Sequence, residues 1–135
     1  GKVDAGEVGD PQLTDLLQRG LVRKFAAPFD AEGDNYLLAG FVASKAWVAA
    51  NPEAAHRFVT AMSETAAWAN SHRAETGVLL AARLKLTSQV LAAMSRTRFA
   101  ETLTPESIDP PLAAAIRYGI LKPITATELL AASAF

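Results

Sequence analysis

In the stretch GEVGDPQLTDLLQRG, Asp10 stands directly before Pro11. A carboxylate there has two possible jobs. As a helix cap it accepts a backbone N–H of the first turn; as a ligand contact it accepts from an ammonium or hydroxyl group. Asn caps a helix about as well as Asp. Asp10→Asn is therefore expected to weaken ligand binding and leave stability nearly unchanged if the carboxylate serves a ligand. The two histidines each have an acid three residues away, Glu53 before His56 and Glu75 after His72. Such pairs share a helix face, but two ligands do not make a metal site and no H-E-x-x-H occurs. Ser, His and Asp are all present without a G-x-S-x-G elbow, and no glycine-rich phosphate loop appears. Trp47, Phe58 and Trp68 read as core residues, and Glu7 lines a cleft or faces solvent.

These residues have to be positioned by secondary structure. Val3 to Val8, Leu21 to Ala26 and Tyr36 to Ser44 read as short strands, the last apolar enough to be buried. Asp10-Pro11 opens a helix that carries Leu13, Leu16 and Leu17 on one face and stops at Gly20. APFDAEGDN reads as a loop. Asn51-Pro52 opens a helix to about Ser71, with Ala55, Phe58, Val59, Met62, Ala66 and Ala69 as its apolar stripe. Further helices are expected over Ala74 to Leu84 and Ser88 to Ser95. Thr104-Pro105 marks a short turn, Asp109-Pro110 starts a helix ending at Tyr118-Gly119, and Thr125 to Glu128 forms a capping box. More than half the chain should be helical, with every strand before residue 45.

The composition is that of an ordinary globular protein, 50% hydrophobic and 20% charged over 135 residues. Thirteen basic residues oppose fourteen acidic ones, a net charge of −1 that gives no electrostatic case for nucleic acid. Arg19, Arg23 and Lys24, and again Arg96 and Arg98, read as solvated faces. No cysteine is present, which removes disulfides, thiolate metal sites and a Cys nucleophile without fixing the compartment. No run approaches the roughly 18 apolar residues of a membrane span.

GKVDA followed by DP, then GLVR, WVAANPEAAHRF, RFAETLTPESI and AIRYGILKP, occur in an order that resembles the solute-binding proteins of nitrate-, sulfonate- and taurine-type ABC importers. Relatives that bind thiamine-pyrimidine precursors share it. The resemblance covers essentially the whole chain and rests on the order of several weak motifs. It implies an α/β, helix-rich, partial type II periplasmic-binding-protein fold, in which two lobes close on a ligand. Residues 1–35 would end the second lobe, 36–45 would be the returning hinge strand, and 46–135 would be the helical C-terminal part of the first lobe. The opening GKVDAGEV would then lie mid-fold, with the N-terminal half of the protein as a partner.

The resemblance also implies site residues. Asp10 would face the cleft, where ligands of open α/β sheets bind. Gly9 replaces a large residue common in relatives and would widen the pocket wall. Asn35 and Tyr36 begin the crossing, touching ligand or shaping the hinge. The expected function is extracytoplasmic capture of a small organic or oxyanion ligand for a membrane permease. No cofactor, no metal and no catalysis are expected, and the location would be periplasmic or membrane-anchored outside the cytoplasm. The alternatives are an enzyme of the same fold in precursor synthesis and a self-standing helical interaction domain.

Overall fold

The computed structural model describes residues 3–33 and 35–130. Seven α-helices and one 3-10 turn occur among them: α1 Gln12–Gln18, the turn Pro28–Glu32, α2 Lys45–Ala50, α3 Pro52–Ser71, α4 Arg73–Leu84, α5 Ser88–Ala93, α6 Pro105–Arg117 and α7 Ala126–Leu130. No strand is present among the described residues. The α/β class, and with it the partial type II binding-protein fold, is therefore corrected to an all-helical architecture. The three apolar runs expected as strands are irregular chain, and the expected hinge strand of residues 36–45 is irregular up to Ser44 and enters α2 at Lys45. A strand is stable only with a neighbour for its N–H and C=O groups, and none of the three runs finds one. The Leu37 N–H donates instead to the Ser107 carbonyl in α6, at 2.7 Å.

That bond has a local cause. α6 begins at Pro105 and runs straight through Pro110 and Pro111, so the expected start at Asp109-Pro110 is also corrected. Proline has no N–H to offer the carbonyl four residues back. Pro111 leaves the Ser107 carbonyl without its helical donor, and Leu37 supplies one. A neighbouring segment thus takes up the acceptor that Pro111 frees.

The helix ends follow their sequence signals. Gly20 at φ +65° and Gly119 at φ +71° adopt the left-handed conformation that glycine reaches without strain. In each case two backbone bonds close the end, Leu21 N–H to the Leu16 carbonyl and Gly20 N–H to Leu17, then Ile120 N–H to Ala115 and Gly119 N–H to Ile116. α7 opens with the expected capping box. Glu128 accepts from the Thr125 N–H and hydroxyl, both at 2.8 Å, while its own N–H donates to the Thr125 hydroxyl at 3.2 Å. Those bonds, the backbone one first, hold the Glu128 carboxyl below the usual carboxylate range.

α4 ends differently, on Lys85 at φ +55°, the one described non-glycine residue with positive φ. A side chain there costs about 1–2 kcal/mol of backbone strain. Lys85→Gly is expected to stabilise the protein by about 0.5–1 kcal/mol, the relieved strain less glycine's greater entropy loss on folding. Chemical denaturation at neutral pH reads the change, and a variant less stable than the parent would contradict it.

The chain divides into two compact units that interleave in sequence, one from residues 1–26 and 67–99, the other from 27–66 and 100–135. In the first, α5 packs on α1 and on α4, with Val90 buried. In the second, Ile108 and Leu112 of α6 bury against Ala126 of α7, flanked by Leu37, Ile116 and Leu130.

Candidate functional site

The second unit carries an open, mainly apolar groove of about 290 Å³. Pro111, Ala114 and Ala115 form its α6 wall, where the two alanines leave the helix surface low. The reversal at Gly119 returns the chain so that Tyr118 and Ile120 form one rim. Phe29, Tyr36, Leu37 and Leu38 form the other side, Leu37 held by its bond to Ser107. The rings of Phe29 and Tyr36 stack 6.1 Å apart at 21°. Arg117 lies with its guanidinium carbon 5.7 Å from the centre of the Tyr118 ring, a cation–π contact. The groove thus offers aromatic and aliphatic walls, with the Arg117 cation beside the ring of Tyr118.

Of the residues expected at the site, Tyr36 is half-buried and lines this groove, while Asn35 beside it is exposed and outside the lining. Gly9 and Asp10 belong to the first unit. Gly9 is exposed, and a Cβ built on it would meet nothing within 4 Å. The Asp10–Pro11 peptide bond is cis.

Asp10 has three donors within the chain. One carboxylate oxygen accepts from the Thr14 hydroxyl at 2.6 Å and the Thr14 N–H at 3.1 Å. The other accepts from the Ser95 N–H at 2.9 Å. Partial burial raises its pKa, and the bonds from the Thr14 hydroxyl, the Ser95 N–H and the Thr14 N–H together outweigh that, leaving it below the ordinary Asp value. The carboxylate caps α1 and ties it to the chain that follows α5.

Arg96, expected on a solvated face, is half-buried and forms a second tie. Its guanidinium donates to the Arg73 carbonyl and to the Thr76 hydroxyl, both at 2.6 Å. Asn70 adds a third, accepting from the Phe99 N–H at 3.0 Å and donating to the Phe99 carbonyl at 2.8 Å. Residues 95–99 have no regular structure, and these polar ties hold them to the helices of their own unit. Only the side-chain types hinted at this in the sequence, since the partners lie twenty or more residues away in all three ties.

The histidines are otherwise engaged. His72 stacks on Trp68 at 5.0 Å and 14°, with Nδ1 2.9 Å from the Trp68 carbonyl. Glu53 pairs with Arg57 at 3.6 Å rather than converging on a metal position. Among the described residues no three His, Asp or Glu side chains are grouped to hold a metal ion. Trp47, Phe58 and Trp68, expected in the core, are 47%, 46% and 42% exposed. No described helix is long and apolar enough to cross a membrane.

Comparison with known protein families, curated proteins and solved structures found no match to this chain.

Proposed function

We propose that this chain captures a small organic or oxyanion ligand for an ABC importer outside the cytoplasm, with the groove of the second unit as the ligand's seat. The observation that carries this reading is the place of Tyr36. The resemblance to importer receptors places it where it would touch ligand or shape the hinge, and it lines an open groove close in volume to the smaller ligand pockets of proteins. The scaffold is the helical one described above, and the reading asks for no two-lobe clamp. It assigns no catalysis, cofactor or nucleic acid. Its partners are the ligand and a membrane permease.

The test is calorimetric titration with nitrate, taurine, an aryl sulfonate and an aminopyrimidine. One of them should bind, and Tyr36→Ala should weaken it at least tenfold while the parent's helical content is kept. A blank panel, or equal affinity in the variant, would overturn the reading. The all-helical architecture favours one competitor, a self-standing helical interaction domain, for which the panel stays blank.

A further inference from the structure

The surface left open is larger than a folded chain of this size normally keeps, and many large apolar side chains lie on it. A 14.3 kDa monomer exposes about 6,800 Å², and two separate bodies of half that mass expose about 8,200 Å² together. This chain exposes 10705 Å². The excess over even the second figure is about 2,500 Å², whereas a stable dimer needs only about 800 Å² from each partner.

In the second unit part of that excess has a definite place. Phe41 and Phe58 meet edge to face, their centres 5.2 Å apart at 81°, yet they remain 73% and 46% exposed, and Val42 beside them is 97% exposed. Phe58 projects from α3, whose neighbouring side carries Arg57 and Glu64. These two charges are two helical turns apart, about 10.5 Å along the axis, with the small Ala61 between them. Arg57 reaches Glu53 only at 3.6 Å on an exposed face, and Glu64 makes no ion pair among the described residues.

We propose that this face of α3, with Phe41 and Val42, is an interface between two copies of the chain. A two-fold contact sets the same patch against itself. When two α3 helices cross antiparallel about an axis between Thr60 and Ala61, each Arg57 faces Glu64 of the partner subunit. The patch is thus complementary to itself in charge, and Ala61 allows close approach at the crossing. The aromatic pair and Val42 lose their water on the flank of the same contact. A net charge of −1 per chain raises no appreciable barrier to association.

Sedimentation equilibrium between about 1 and 100 μM tests this. The expected result is a reversible monomer–dimer equilibrium reaching twice 14.3 kDa. Val42→Glu, at a side chain already almost wholly in water, cannot unfold the chain and should raise the dimer dissociation constant at least tenfold, as should Phe41→Glu. Arg57→Glu should weaken the dimer and Arg57→Glu combined with Glu64→Arg should restore it. A monomer throughout, a dimer indifferent to Val42→Glu, a charge reversal without rescue, or open-ended aggregation would each overturn the proposal. None of these outcomes bears on small-ligand binding at the groove.

Discussion

Leu112→Ala should cost the second unit about 2–3 kcal/mol, the low to middle part of the range for removing a buried leucine. Leu112 is 7% exposed and sits on the inner face of α6, between Ile108 and Ala126, with Leu37, Ile116 and Leu130 around it. Few other residues share this task. The buried apolar side chains described in the whole chain are Ala55, Ala66, Val90, Ile108, Leu112 and Ala126. Three of them are alanines, which contribute little burial each. A truncation at Leu112 therefore removes a large share of the apolar contact that joins α6 to α7, and a core this small has few neighbours able to collapse into the space. Leu37 loses part of its packing in the same change, while its N–H stays bonded to the Ser107 carbonyl. Urea denaturation followed by far-ultraviolet circular dichroism measures the loss. A cost under about 1 kcal/mol would show that the α6–α7 contact does not carry the unit's stability.

The helices were legible where their signals are local. Asn51-Pro52 opens α3 and Ser71 closes it, as the three-and-four spacing of its small and apolar residues indicates. Gly20 and Gly119 end α1 and α6, and the Thr125–Glu128 box opens α7, because each signal acts within a single turn. The strands failed for the opposite reason. Tyr36 to Ser44 has the apolar content of a buried strand, but a strand depends on a partner that no local pattern supplies, and Leu37 found its acceptor in α6. The proline pair in α6 misled in the same way. Read alone, Pro110 begins a new helix; in the fold α6 has already started at Pro105 and passes through it, with Leu37 bonded to the carbonyl that Pro111 frees. The groove was half legible. Tyr36 was singled out by position along the chain, whereas Phe29, Pro111, Tyr118 and Ile120 meet it only through the fold of the second unit.

Asp10→Asn should now lower stability by about 1–2 kcal/mol at neutral pH, in contrast to the nearly silent substitution expected of a simple cap. Asn keeps one oxygen for the Thr14 N–H and hydroxyl, so the cap of α1 survives. Its NH2 cannot accept from the Ser95 N–H, and it sets a donor against a donor where the carboxylate held a bond of 2.9 Å. The sequence separation of 85 residues makes this the longer-range of the carboxylate's tasks, and the one its local pattern did not disclose. The pH dependence follows from the depressed pKa of Asp10. A group whose folded pKa lies below its unfolded one contributes stability in full above the unfolded value, about 3.9 for Asp, and loses it as pH falls through the lower folded value. The gap between the parent and Asp10→Asn should therefore be constant from pH 7 to about 5 and narrow below about pH 4 as the carboxylate takes up its proton. Denaturation of both proteins across that range measures it. A gap that stays level down to pH 2 would mean that the charge of Asp10 contributes nothing to the tie with Ser95, and equal stability at pH 7 would return Asp10 to the role of a cap on α1 alone.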